Sequence, residues 1–529
     1  MTASAPLRAR IADPVTEGAL RIGGNVSFRL ASQAASALIN VAGMILLGNA
    51  LGARAYGEYA FYYALIQLVA AISDAGVGTI VTREIARHPE HGGRILGDAL
   101  LLKGAIAAVI LVAGLAAWGV LDAPRAALLT IVAVTALIDL GQDASIWALR
   151  AHERQDLEAL LLLLSQLVWL LGLAAGVALG AGLPALLGAA TLGFAVRLAT
   201  GAVIVARRFH RPVFRPDPAR LRRLLVQGLP LGAALFGVVL YGRVGLLALK
   251  ALGTPSDLGY FQVAYMLSQP LGFAASGIAI AVLPDLSRRA LEESDAVRRM
   301  LRATIKALFL LAFPLTVALL LLAGPILALL FPGRAFARAA EGLQIMSLGL
   351  TFIFLNLMSR YLLAGLDRQR HYLMAVLAGL VANVLLCVAL VPRWGCLGAC
   401  AAYVGAELVI GIVCQRALAR DVPLREIARV AARPLLAALG AGLVVGALRT
   451  TPLALAGAAG GAAYLALLIA LGTFSRDERR VLRGVWVSIG TVSRPAPRPA
   501  PGGGRERLME ERRPDWSPRR GGVRHGARP

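Results

Sequence analysis

Runs of about twenty apolar residues, each closed by a short polar stretch, recur from residue 25 to residue 473 and predict a series of membrane-crossing helices. A bilayer core of about 30 Å needs about 20 such residues per helix. That ruler places spans at approximately 25–49, 59–80, 95–120, 127–149, 157–180, 184–206, 224–250, 258–283, 303–331, 342–365, 372–392, 397–415, 431–449 and 452–473. The fold class expected is all-α and membrane-integral, with about fourteen transmembrane helices.

Polar positions inside these runs are not scattered. On the first helix Arg29, Gln33, Ser36 and Asn40 follow the spacing i, i+4, i+7, i+11 and so share one face. The second helix repeats the stripe with Tyr63, Gln67 and Asp74, and the eighth carries Gln262, Tyr265, Gln269 and Ser276. A charge at bilayer depth costs at least about 2.5–3.5 kcal/mol, so such residues face water or a partner. Three striped helices therefore predict a central hydrophilic cavity.

The segment Leu51 to Tyr59 has a counterpart in Leu252 to Phe261, each a Leu-Gly, a short polar loop and a Gly-x-aromatic helix start. Past the glycine, Tyr63 falls on Tyr265, Gln67 on Gln269 and Asp74 on Ser276 without a gap. A weaker echo links Gly182–Ala190 to Gly395–Ala402, again six helices apart. The organisation expected is two pseudo-symmetric six-helix lobes, 25–206 and 224–415, joined by a basic linker at 207–223. A helix pair at 416–473 follows, with a polar N-terminus at 1–24 and a disordered basic tail at 474–529. Lobes of the same helix number and direction are parallel repeats, and transporters of that build bind substrate between them.

Composition and charge sharpen this picture. With 58% hydrophobic and 16% charged residues among 529, and a mean hydropathy of +0.70, a soluble globular fold is excluded. The net charge of +24 would suggest nucleic acid in a soluble chain, but no polar domain carries it, and no nucleic-acid partner is expected. Placing the N-terminus in the cytoplasm puts 29 Lys and Arg in inner segments against 7 in outer ones. That asymmetry satisfies the positive-inside rule and predicts cytoplasmic termini in a cell membrane, with the basic tail drawn to anionic lipid.

Further charges lie within spans: Lys103, Arg197, Arg243, Glu407, and Asp139 with Asp143 one turn apart. Arg243 shares a face with Lys250. Arg29, Arg197 and Arg243 have two readings: a cationic lining for an anionic substrate, or snorkelling for Arg29 and Lys103 and ion pairing with buried acids for Arg197. Asp74, Asp139, Asp143 and Glu407 are candidates for ion coupling or for counter-charges. Four cysteines, Cys387, Cys396, Cys400 and Cys414, lack His or carboxylate neighbours at metal spacing and read as small buried apolar residues. No catalytic constellation, metal or cofactor is expected.

Four stretches in order, Leu51–Tyr59 with Asp74–Gly78 and Thr82–Ala86, Gly228-Leu229-Pro230, Leu258–Tyr265, and Val391–Ala399, give the chain from about residue 22 to 472 a family likeness. It resembles the polysaccharide-biosynthesis flippases of the multidrug/oligosaccharidyl-lipid/polysaccharide superfamily. The resemblance implies a MATE-like fold of two lobes around a cavity whose cationic residues meet a pyrophosphate-linked sugar. Arg29 and Arg54 match by position the basic residues of the first helix and loop. Many relatives carry an acid in the seventh helix where this chain reads Tyr241-Gly242-Arg243, which favours an anionic substrate over a cationic drug. The cavity set is then Arg29, Gln33, Asn40, Arg54, Tyr63, Gln67, Arg197, Arg243, Tyr265 and Gln269. The function implied is export of a polyprenyl-pyrophosphate-linked oligosaccharide to the outer leaflet, with membrane lipids and a polysaccharide polymerase or glycosyltransferases as further partners. Alternatives are a cation-coupled drug exporter of the same superfamily, or a membrane scaffold or enzyme of glycan assembly.

Overall fold

The structure, a computed structural model, describes residues 14–474 apart from 75, 273–274, 278–294, 334, 420–421 and 449, and apart from the side chains of 14–31, 117 and 295–298. Among the described residues all regular structure is helical. The proposed tail beyond 474 and the first thirteen residues lie outside this set. Residues 14–24, expected to be a polar lead-in, are helical.

Helix α1 (Pro14–Asp74) carries the first two spans in one stretch, turned at Gly52 with φ 69° and ψ 176°. Only glycine takes that backbone without steric cost, so one residue replaces the predicted loop. The halves fold back on each other, since Gly43 and Tyr59, on either side of the turn, both meet Trp169. The second span stops at Asp74, short of the predicted residue 80, and α2 (Val77–Arg87) leaves from a turn at Gly76. Helices α3 (Gly92–Ala116), α4 (Ala123–Ala151), α5 (Gln155–Ala178) and α6 (Leu183–Arg208) complete the first lobe.

The seventh span is not one helix. It divides into α7 (Pro218–Tyr241) and α8 (Val244–Leu252), with Arg243 N bonding Leu240 O at 2.8 Å in place of a regular helical turn. The Tyr241 carbonyl released by this break accepts a bond from Asn383 Nδ2 at 3.2 Å. Broken helices survive at membrane depth where neighbours satisfy the freed groups. The remainder are α9 (Pro255–Ser268), α10 (Asp295–Leu330), α11 (Ala337–Gly365), α12 (Gln369–Trp394), α13 (Cys396–Leu418), α14 (Leu424–Ala447) and α15 (Leu453–Ala470). Twelve stretches are long and apolar enough on their own to cross a membrane. The first of these lies in α1, which turns at Gly52 and holds the first two predicted spans, so the count is roughly that expected.

Local chemistry starts the helices where the sequence asks. Asp217 caps α7 by accepting from the N–H groups of Ala219 and Arg220, and Thr254 with Asp257 forms a capping box on α9. Asp257 also accepts from Cys396 N at 3.1 Å, tying α9 to the start of α13. The linker is strapped to α3: Val213 N bonds Gly93 O at 2.8 Å, and Arg220 reaches the fully buried Asp98 at 2.9 Å. His210 packs on Gly92 and against the His152 ring, and burial pushes its pKa below the usual imidazole value.

One apolar core lies inside the first lobe around Val77, Ile85, Trp147 and Leu161. Another lies inside the second around Leu246, Phe261, Met346 and Cys400. A third joins the lobes at the Gly52 end through Met44, Tyr56, Tyr59, Phe331 and Phe336. The last two helices pack on α10, where Tyr464 Oη donates to Leu310 O at 2.9 Å and Arg302 pairs with Glu426.

Candidate functional site

Between the lobes lies a cavity of about 440 Å³. Gln33, Asn40, Tyr63 and Gln67 of α1 face it from one side; Arg243, Tyr265 and Gln269 face it from the other. Seven of the ten residues proposed from the sequence thus converge on one space. Of the described lining residues Arg243 is the one charged side chain. It stands at the break between α7 and α8, donates to Gln67 Oε1, and lies 5.8 Å from the centre of the Tyr265 ring. On the far side Gln269 Nε2 donates to Tyr403 Oη at 2.9 Å. Ser36 Oγ, Gln166 Oε1 and Gln262 Oε1 border the cavity and have no hydrogen-bond partner.

Three residues of the set are elsewhere. Arg54 is exposed beside the Gly52 turn and lines none of the cavities described. The side chain of Arg29 lies outside the described residues. Arg197 borders a side chamber of about 360 Å³ in the first lobe, which shares Asn40, Tyr63, Gln67, Gln166 and Trp169 with the central cavity. Its Nε has no partner, and among the described residues no carboxylate pairs with it within 4 Å, although Asp139 lines the same chamber. Gln166 and Trp169, absent from the sequence-based set, were legible as an i, i+3 interruption in a leucine-rich span.

Two of the acids lie beside a lysine. Lys103, 2% exposed, pairs with Asp143, lies 3.9 Å from Asp74 and sits 4.6 Å from the Trp147 ring centre. Snorkelling is thereby excluded for Lys103: its amine is turned into the lobe, where two carboxylates and an indole replace water. Asp74, Asp139 and Asp143 border a third cavity of about 700 Å³ that reaches Arg83 and Arg150. Asp139 also faces the side chamber and accepts from Gln142. Glu407, in the second lobe, is 6% exposed and forms no ion pair among the described residues. Tyr241 Oη and Asn356 Nδ2 donate to it at 2.9 and 2.8 Å, which corrects the counter-charge reading for this residue.

The lobes meet backbone to backbone where the internal repeat predicts equivalence. A Cβ placed on Gly57 would lie 2.6 Å from Gly259 N, and one on Gly259 would fall on the Ala53 carbonyl. Tyr56 and Tyr260 flank the contact, each edge-on to Phe336. The repeat pairs Gly57 with Gly259, so a local two-fold relation passes through this seal. At the opposite end α2 meets α7, with Arg83 donating to Gln227 at 3.4 Å.

Comparisons agree with this geometry. The family described as polysaccharide biosynthesis protein matches residues 22–290, and that described as lipid II flippase MurJ matches residues 159–456. Among solved structures, lipid II flippase MurJ in an inward closed conformation superimposes with a TM-score of 0.70 at 14% identity, over 84% of this chain and 98% of that one. An inward-facing multidrug resistance MATE family transporter gives 0.59 at 16% identity, over 75% and 95%. A superfamily transporter from Pyrococcus furiosus, described as having a binding pocket of reverse polarity, gives 0.50 at 16% identity, over 77% and 94%. No match is found among curated proteins. At such identities the structural likenesses establish the fold, and the family matches, each over more than half of the chain, establish the kinship. The chain belongs to the polysaccharide biosynthesis protein family of lipid-linked flippases, as a multi-pass membrane transporter and not an enzyme.

Proposed function

We propose that the protein carries a polyprenyl-pyrophosphate-linked oligosaccharide from the cytoplasmic to the outer leaflet by alternating access. The observation that carries this reading is Arg243, a permanent cation at a helix break and the one charged side chain among the described residues that line the cavity between the lobes. Guanidinium pairs bidentately with phosphate and stays charged at any relevant pH. A sugar headgroup cannot cross hydrocarbon unaided, because each unpaired hydroxyl costs roughly 4–8 kcal/mol on alkane scales. Amide and phenol groups around Arg243 supply the missing partners while the isoprenoid tail stays in lipid.

The bodies that rock are the lobes at 25–206 and 224–415, with both termini in the cytoplasm as the 29-to-7 charge asymmetry favours. Closure of the Gly57–Gly259 contact seals the outer end. Its opening, with closure on the cytoplasmic side, releases the headgroup outward. Moving negative charge outward gains roughly 2.3 kcal/mol per charge per 100 mV in an inside-negative cell, so ion coupling is not required.

The test is surface-polysaccharide export in a deletion strain complemented with wild type or Arg243→Ala at matched membrane levels. Loss of export with accumulation of the lipid-linked precursor supports the reading, and normal export in the deletion strain contradicts it. A second reading, a cation-coupled exporter, draws on the three carboxylates of the first lobe. It requires that Asp139→Asn abolish drug resistance while polysaccharide export persists.

A further inference from the structure

The side chamber of the first lobe has the chemistry of a sugar site. One wall is aromatic. Trp169 rests its benzo edge against Gly43 and its Cβ near Gly193, and its Nε1 donates to Tyr59 Oη at 3.0 Å. Tyr59 in turn stacks on Tyr63 with centres 6.1 Å apart and planes 9° from parallel. The indole is therefore held in place while bordering both the chamber and the central cavity.

The rest of the lining is polar and mixed in sense, with Gln166 one turn from Trp169 on α5, Arg197 on α6 and Asp139 on α4. Gln166 Oε1, an acceptor, and Arg197 Nε, a donor, are buried without partners, and Asp139 adds a carboxylate. Buried polar groups left unpaired are costly, so this arrangement awaits water or a ligand. A phosphate only accepts hydrogen bonds: it would leave Gln166 Oε1 unmet and would be repelled by Asp139. A hydroxyl donates and accepts, and a ring bearing several of them satisfies Gln166, Asp139 and Arg197 together while its apolar face lies on an aromatic ring. The volume of about 360 Å³ falls in the usual range of small-molecule sites, ~300–1,000 Å³.

We propose that this chamber is the sugar subsite, taking the lipid-proximal sugar against Trp169 while the pyrophosphate stays at Arg243. The inference rests on the lipid-linked substrate proposed above. Gln67 borders both spaces and is bonded to Arg243, so phosphate and first sugar would occupy adjacent positions, as their covalent linkage demands.

The test measures binding of two synthetic lipids, a polyprenyl pyrophosphate with and without one hexose, to full-length protein in nanodiscs. In wild type the sugar should strengthen binding ~5–10-fold, the scale of one aromatic contact with a hydrogen bond. In Gln166→Leu and Trp169→Phe the ratio of the two affinities should fall towards one, whereas Arg243→Ala should weaken both lipids and keep the ratio. An unchanged ratio in both chamber variants overturns the proposal. Gln166→Leu keeps the side-chain volume, so a folded variant is at hand even if the aromatic one is unstable. Failure of wild type to bind either lipid would instead remove the substrate class, and the chamber assignment with it.

Discussion

In the first lobe Asp74, Arg83, Asp139, Asp143, Arg150, Glu153 and Arg197 line two adjoining cavities, and the buried Lys103 pairs with Asp143 behind them. In the second lobe the buried carboxylates Asp257 and Glu407 are met by neutral donors among the described residues, Thr254 and Cys396 N for the first and Tyr241 and Asn356 for the second. Both lobes present the same pair to the space between them, Tyr63 with Gln67 and Tyr265 with Gln269. The repeat has thus kept its shared interface and diverged behind it. The first lobe sets acids and arginines around its cavities, whereas the buried acids of the second are bonded to neutral donors. Arg243 stands where the two meet, on the second lobe and bonded to the first.

The largest effect expected from breaking this comparison is at the seal between the lobes. Gly57→Leu places a side chain on the backbone of Gly259, and export should fall to background with normal protein levels. Gly461→Ala, on α15 with open space around it, should leave export unchanged. Lys103→Met leaves Asp143 without its cation and should destabilise the protein by about 3–5 kcal/mol in thermal unfolding. Adding Asp143→Asn should recover much of that loss. Glu407→Gln should cost only about 0.5–1.5 kcal/mol, since it weakens hydrogen bonds without stranding a cation. If Glu407→Gln proved as costly as Lys103→Met, the contrast between the lobes would fail.

Two smaller effects sharpen the boundaries. Arg54→Ala should change binding of the sugarless polyprenyl pyrophosphate by less than ~2-fold, as expected for an exposed charge outside the cavity. The linker at 209–217 should loosen in acid. His210 has its folded pKa lowered by burial, so its contribution is complete above the unfolded value of about 6.5 and is lost as pH falls below it. Hydrogen exchange of the linker should rise from pH 7.5 to 5.5 in wild type and much less in His210→Gln.

The helices were legible because apolar runs near twenty residues have few structural outcomes, and the inward stripe was legible because its spacing matches the helical period. Six of the seven cavity residues follow from that period, and Arg243 from its charge within a span. What escaped depends on tertiary neighbours. The turn at Gly52 hides in a run that reads as loop between helices, since nothing local distinguishes a single φ-positive glycine from a longer connection. The break at Gly242–Arg243 needs Asn383, 142 positions away, to satisfy the Tyr241 carbonyl. Lys103 looked like a snorkelling side chain because its partners lie on α1 and α4, and no periodicity on α3 announces them. Gln166 and Trp169 were overlooked for a simpler reason, as two polar-capable residues among leucines form too short a stripe to weigh.

The most direct measurement is translocation of a fluorescent hexose-bearing polyprenyl pyrophosphate in proteoliposomes, followed by quencher accessibility, for wild type, Arg243→Ala and Gly57→Leu. A lipid path between the lobes predicts rapid transfer by wild type and transfer at least ~10-fold slower for Arg243→Ala, the scale of a lost charged hydrogen bond. It also predicts background transfer by Gly57→Leu, whose side chain would stand on the backbone of Gly259. Transfer at the wild-type rate by both variants would contradict it.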